Sequence, residues 1–363
     1  PLAKILGDAT EELAASLGND TISGLLNATF GNAVEMIVAV QSLRAGLLSV
    51  VKTSLLGSVL SNILLVLGTA FLLGGFYPSK RQRGRFHSFN DSMFKEHLLG
   101  IEKEQKFPLK GALISMAMLL FSCMSFALPT IFNAFPTDDS QSVLMVSRFG
   151  ACIVGSSYVA FLAFQLLTHT KTLTKEENTL SSQMLYEDDD AEEDEESASL
   201  TPACALLLMA LSTLVVSLNS DYLVGTISSV VRSCGIPESF IGVILLPIAG
   251  NACEHAAAIR FAVQDRPGLA IGIAVGSSTQ VALLVVPFSV IAGWFMGRPM
   301  DLDFGALNVT VVTLSVLVTL TLLLDGRSNW LKGYILVCLY VFIAVLYWYT
   351  PPRLGSQPSP AEL

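Results

Sequence analysis

The chain is short of charge. Asp, Glu, Lys and Arg make up 14% of its 363 residues, whereas 52% are hydrophobic, and the mean hydropathy is +0.60. So little charge cannot cover a water-facing globule, which excludes a soluble domain and points to a polytopic membrane protein. The six cysteines, Cys123, Cys152, Cys204, Cys234, Cys253 and Cys338, include no CxxC and no Cys–His pair at metal spacing. That argues against a zinc site or a disulfide framework, and they read as small buried hydrophobes. No Gly-rich phosphate loop, HExxH or paired nucleophile and base is present, which argues against an enzyme. There is no basic stripe to neutralise phosphates, so nucleic acid is not an expected partner. The net charge of -9 is local: Glu187, Asp188, Asp189, Asp190, Glu192, Glu193, Asp194, Glu195 and Glu196 supply nine negative charges, and without them 21 basic residues face 21 acidic ones.

Apolar runs of the roughly 20 residues needed to cross a bilayer lie near 24–43, 53–76, 109–133, 145–167, 203–228, 239–262, 268–295, 304–324 and 332–350. Ahead of them, Leu2, Ile5, Leu6, Ala9, Leu13 and Leu17 recur at helical spacing. The expectation is a chain that begins part-way through a helix. Alternating the spans puts the loops 77–108, 168–202, 263–267 and 325–332 on one side, A, and the remaining loops on side B. Side A carries twelve basic residues against five on side B, which makes it the cytosolic side by the positive-inside bias.

The chain also repeats itself. Gly31-Asn32-Ala33-Val34-Glu35 is echoed by Gly250-Asn251-Ala252-Cys253-Glu254, and Gly57-Ser58 by Gly276-Ser277, both at an offset of 219. Each half amounts to five spans, the first shortened, and an odd number inverts the second half relative to the first. The expected fold is therefore all-α, with two inverted-topology repeats of five transmembrane helices like those of secondary transporters. The expected divisions are an N-terminal repeat over 1–167, a cytosolic acidic linker over 168–202, a C-terminal repeat over 203–350 and a short luminal tail over 351–363.

Glu35 and Glu254 fall near the bilayer midplane, where an ionised group is costly unless paired. Gly24, Asn27 and Gly31 in one half, and Pro247 and Gly250 in the other, weaken the helix just before each glutamate and free backbone carbonyls. Asn32 and Asn251 add amide oxygens. Ser54, Ser58, Ser61 and Asn62 in one following span, and Ser277, Ser278, Thr279 and Gln280 in the other, either complete an ion's coordination or let helices pack closely. Gln280 is the strongest of these, being long and costly to bury unsatisfied. Such an oxygen-only set suits calcium. One divalent cation neutralises two carboxylates, and so do two protons, so a site that changes sides only when neutral exchanges one for the other. His255 reads equally as a proton relay or as a histidine satisfied by an adjacent helix. Glu12 and Asp221, toward the cytosolic ends of their helices, read as a proton or cation access route or as residues of the solvated interface.

These segments carry a resemblance. GLLNATFGNAVEMIVAV at 24–40 and PIAGNACEHAAAI at 247–259 are similar to the paired signature repeats of the calcium/proton exchanger (CAX) family. GSVLSNILLVLG at 57–68, DYLVGTI at 221–227, GSSTQVALLVVPF at 276–288 and DGRSNWLKG at 325–333 agree with it. The resemblance implies an antiporter of a vacuolar or other acidic-organelle membrane. It would move cytosolic Ca2+, and sometimes Mn2+, against protons, with no cofactor beyond the transported ions. The family's essential acidic residues fall on Glu35 and Glu254, which would hold the metal ion, and its neighbouring polar positions on Ser58, Asn62, Ser277 and Gln280. The segment Glu187 to Glu196 resembles the family's acidic linker, proposed to attract or sense cytosolic calcium; a disordered, solvated linker is the alternative, and so dense a charge, which would concentrate divalent cations at the cytosolic mouth, favours the functional reading. The loop at 78–107 reads as a topology anchor with weak attraction to anionic lipid.

A sodium/calcium exchanger shares the architecture but carries Ser/Thr-rich signatures ending in Pro-Glu, whereas here the glutamates follow Gly-Asn-Ala. A divalent-cation channel more often builds its filter from an oligomeric ring. Oligomeric state, a homo-oligomer included, and the preference between Ca2+ and Mn2+ stay open.

Overall fold

The computed structural model describes residues 2–16, 26, 29–77, 103–135, 140–171 and 201–350. Helix α1 is Leu2–Ser16 and α2 is Ala33–Arg44. Four long helices follow: α3 (Leu48–Phe76), α4 (Leu109–Asn133), α5 (Ser140–Ala163, continued by a π-helical end over Phe164–Thr168) and α6 (Pro202–Cys234). Then come α7 (Glu238–Gly250), α8 (Ala252–Val263), α9 (Pro267–Phe295), α10 (Ala306–Leu323) and α11 (Trp330–Tyr349). Among the described residues seven helices are long and apolar enough to cross a membrane, and the pair α7 and α8, bent by 58° at Asn251, makes an eighth span. The ninth expected span, 24–43, is described mainly through its second half, α2. The chain is a multi-pass membrane protein.

Local sequence explains the ends. Thr201 caps α6, its side chain accepting from the Cys204 N–H, with Pro202 in the first turn; Gly235, at φ 65°, ends the helix in the left-handed conformation that glycine adopts without strain. Asn329 caps α11 by accepting from the Lys332 N–H. At 33 residues, α6 extends about 50 Å. That exceeds the ~30 Å hydrocarbon layer, so α6 is longer than a single crossing needs. It packs along α1 and α2.

The most buried span is α3, whose Leu- and Val-rich sequence is apolar all round, as a central helix requires. Small residues let its neighbours come close. A Cβ at Gly57 would run into the Val243 carbonyl and the Pro247 ring of α7, and one at Gly333 of α11 would meet the backbone of Gly68 and Leu72 on α3. Helices α7 and α11 are thus seated backbone to backbone on α3, where dispersion replaces the hydrophobic drive that lipid does not supply.

The fold departs from all-helical at one point. Gln105–Lys106 (β1) pairs antiparallel with Arg327–Ser328 (β2), so the end of the 77–108 loop is a strap laid on the protein. Phe107 is buried and stacks on Phe71. Gln105 donates to the Ala262 carbonyl at 2.8 Å and to Asp265 at 2.7 Å. Lys103 pairs with Asp265 at 2.6 Å and donates to the Tyr77 carbonyl at 2.7 Å. The strap ties the end of α3, the turn between α8 and α9, and the hairpin between α10 and α11.

Candidate functional site

Helices α2 and α8 begin abruptly, after turns at Gly31-Asn32 and at Asn251. In both, Asn occupies the N-cap and Glu the third helical position, the arrangement of a capping box. Neither asparagine caps its own helix with its side chain. Both are 2% exposed, and both amides cross to the other repeat. Asn251 donates to Asn62 Oδ1 at 3.0 Å and meets Ser58 Oγ at 3.1 Å. Asn32 Oδ1 accepts from Ser277 at 2.9 Å, and its amide group donates to Gln280 Oε1. Asn62 closes the circuit by donating to Ser277 Oγ at 3.1 Å.

The carboxylates stand in the first turns of α2 and α8, where the positive end of each helix dipole favours them. Ser277 Oγ lies 2.9 Å from Glu254 Oε1. Glu254 Oε2 is buried without a hydrogen-bond partner. Glu35 Oε1 lies 3.7 Å from where a Cβ on Gly250 would stand, so it faces the break in the opposite repeat. Glycine at 250 leaves that approach open.

Seven of the expected site residues therefore meet in one hydrogen-bonded set: Asn32, Ser58, Asn62, Asn251, Glu254, Ser277 and Gln280. Glu35 adjoins it. Ser54 bonds back to Val51 on its own helix. Ser278 and Thr279 bond to Ala274 and Val275 one turn back and to the carbonyls of Val59 and Ser115 across helix contacts, the packing role of small hydroxylated residues. His255 Nε2 meets Thr69 Oγ1 of α3 at 2.7 Å, so an adjacent helix satisfies it. Asp221 is exposed on α6, and Glu12 is half-buried on α1, which packs along α6. Gly24, Asn27 and the acidic run Glu187 to Glu196 lie outside the described residues.

Sequence reasoning missed Thr69 and the π-helical turns. The helix widens to π over Ser61–Val66 in α3 and over Val281–Val285 in α9, in each repeat at the level of the polar site, as π-bulges commonly do. The circuit reflects this shift. Asn62 and Gln280 play matching parts, each accepting from the other repeat's asparagine, yet they stand 218 apart rather than 219. Among the described residues no three His, Cys, Asp or Glu side chains converge as a metal cluster. A cation here would take two carboxylates together with amide and hydroxyl oxygens, a hard-ligand set.

An inverted repeat of membrane-spanning helices whose halves are joined through buried polar groups has the design of a secondary transporter of ions rather than an enzyme. The model of the sodium/calcium exchanger protein family matches residues 1–167 and 204–349. Vacuolar cation/proton exchanger 3 of Oryza sativa subsp. japonica is 39% identical over 349 residues, 96% of this chain and 77% of that protein. The Ca(2+)/H(+) antiporter of Aphanothece halophytica is 36% identical over 98% of this chain and 89% of its own. The solved structure of native YfkE superposes with a TM-score of 0.73 at 32% identity, covering 96% of this chain and 89% of that one. The chain belongs to the calcium/proton exchanger (CAX) family, a group of cation/proton antiporters within the sodium/calcium exchanger proteins.

Proposed function

We propose that this chain moves Ca2+ out of the cytosol into an acidic compartment in exchange for protons, by alternating access at Glu35 and Glu254. The names of the relatives support the pair of ions, and one observation supports the mechanism: the proton count at Ser277. Its single hydroxyl proton has two acceptors at 2.9 Å, Asn32 Oδ1 and Glu254 Oε1, while its oxygen already accepts from Asn62. A serine has one donor and two lone pairs. If Glu254 carries a proton it donates to Ser277, Ser277 donates to Asn32, and each of the three hydrogen bonds at Ser277 has its own proton. If Glu254 is ionised, Ser277 turns to it, and Asn32 Oδ1 is released together with the bare Glu254 Oε2. A divalent cation shared with Glu35 restores neutrality at the moment these oxygens become free. The proton-loaded and cation-loaded forms are both neutral and exclude one another, which is the condition for exchange.

The ions are cargo, not resident cofactors. In this reading side A is cytosolic, the membrane is that of a vacuole or another acidic organelle, residues 1–167 and 203–350 are the two repeats, and the acidic run in 168–202 concentrates divalent cations at the cytosolic mouth.

The test is calcium-45 uptake into vesicles carrying the protein, with an acid-inside gradient, for wild type, Glu35→Gln and Glu254→Gln. Uptake that needs the gradient, ignores sodium and is lost in either variant is expected. Uptake that persists without the gradient, or in both variants, would overturn the reading. Ser277→Ala, which removes the hydroxyl shared by Asn32 and Glu254, is expected to loosen the tie between calcium uptake and proton release.

A further inference from the structure

Arg148 is a cation inside a span with no anion beside it among the described residues. It is the ninth residue of α5, so its Cα lies about 12 Å along the axis from the helix start, within the half-thickness of the hydrocarbon layer. Phe149 and Ile153 beside it are 66% and 61% exposed, a lipid-facing surface. The ion pairs Lys52–Asp301, Lys103–Asp265, Arg327–Glu104 and Lys332–Asp325 all leave it out. Its Nε is buried without a hydrogen-bond partner. What it does meet is Trp294, over whose ring the guanidinium carbon sits at 4.8 Å.

Trp294 is the penultimate residue of α9, followed by Phe295, which is 87% exposed. Such aromatics mark the membrane–water boundary. Helix α9 ends on the same side of the membrane as α5 begins, so the guanidinium reaches along α5 toward that boundary. An intramembrane charge calls for a partner, and the ring supplies only part of one.

We propose that Arg148 and Trp294 form a binding site for the phosphate group of a membrane phospholipid in the side-B leaflet. The planar guanidinium fork matches a phosphate in bidentate geometry, and a lipid phosphodiester is an anion stationed at that boundary. Inorganic phosphate offers the same chemistry, but the apolar wall of Phe149 and Ile153 beside the arginine suits a molecule with acyl chains.

The test uses the full chain purified in detergent and stripped of lipid. Its unfolding midpoint is followed while phosphatidylglycerol, diacylglycerol with the same acyl chains, or inorganic phosphate is added at equal concentration. The midpoint is expected to rise with phosphatidylglycerol well beyond the diacylglycerol response and not to move with inorganic phosphate. Arg148→Gln should abolish the difference between the two lipids, and Arg148→Lys should keep part of it. An equal response to inorganic phosphate would overturn the lipid assignment in favour of a soluble anion. An undiminished lipid difference in Arg148→Gln would overturn the site. Should that variant fail to fold, native mass spectrometry of the wild type decides: one retained phosphatidylglycerol is expected, depleted in Trp294→Ala, and no retained lipid would sink the proposal.

Discussion

The openings of α2 and α8 carry the same Gly-Asn-Ala-x-Glu and the same uncapped asparagine, but they do not stand in the same surroundings. Glu254 shares Ser277 with Asn32, and its neighbour His255 is held by Thr69. Glu35 instead faces Gly250 across the break, and its neighbour Met36 packs on the apolar core. The asparagine crossings are symmetric; the settings of the carboxylates are not. Duplication supplies a scaffold in which each repeat's broken helix is held by the other repeat. Divergence then assigns the proton count of Ser277 to the Glu254 side alone.

The largest expected effect separates charge from scaffold. Glu35→Gln and Glu254→Gln should each lower gradient-driven calcium uptake by about 100-fold or more, the scale of ~3 kcal/mol for breaking a buried ionic arrangement. Their melting midpoints should stay close to wild type, because glutamine keeps the shape and a hydrogen-bonding oxygen. A variant that loses transport only because it unfolds would merge the two roles and break the comparison.

Next come the echoed glycines. Gly57→Ala should destabilise the protein by about 1–3 kcal/mol, the usual range for overpacking, since its methyl meets the Val243 carbonyl and Pro247. At Gly276, where no described atom lies within 4 Å of a Cβ, alanine should stay within about 0.5 kcal/mol. Thermal melts monitored by size-exclusion chromatography read both, and equal losses would show that the two repeats pack alike.

The asparagines test the symmetric part. Asn32→Ala and Asn251→Ala each remove one crossing and should raise the calcium concentration for half-maximal uptake by about tenfold, equivalent to ~1.4 kcal/mol. The two should agree within a few-fold, and a large disparity would place the asymmetry in the asparagines as well as the glutamates.

The smallest effect lies outside both half-sites. Asp325 is partly desolvated, which pushes its carboxyl up, but hydrogen bonds from Lys332 and the Arg327 backbone together with the Lys332 charge more than offset this and hold it below the usual carboxylate range. A depressed carboxylate contributes stability at and above its ordinary range, and loses it as the pH falls through the lowered value. Amide exchange across 325–332 should therefore quicken only in strong acid. Asp325→Asn should abolish that dependence while leaving uptake at neutral pH unchanged.

Much of this was legible in the sequence. Apolar runs set the spans, and the echo at an offset of 219 located five members of the polar circuit, Asn32, Ser58, Asn251, Glu254 and Ser277, while Asn62 and Gln280 were found as polar residues inside apolar spans. What stayed hidden depends on partners rather than on patterns. Periodicity shows which face of a helix is polar, but not that His255 would meet Thr69, 186 residues away in the chain. The π-turns carry no compositional mark, and the single-residue slip they accompany put Val281 where the offset sought a match for Asn62. Arg148 passed unnoticed because one cation barely alters the hydropathy of a 24-residue helix. The charged composition of 77–108 gave no sign that its last residues, anchored by buried Gln105 and Phe107, are part of the folded body.

That strap bears on chain topology. Because Lys103 reaches the carbonyl of Tyr77 at 2.7 Å, positions 77 and 103 of the chain are held within one lysine side chain's length of each other. Loop-closure entropy grows only slowly with loop length. Changing the length of chain between these two fixed points therefore costs little in closure, and a reporter domain or protease site inserted there is expected to leave the polar circuit undisturbed.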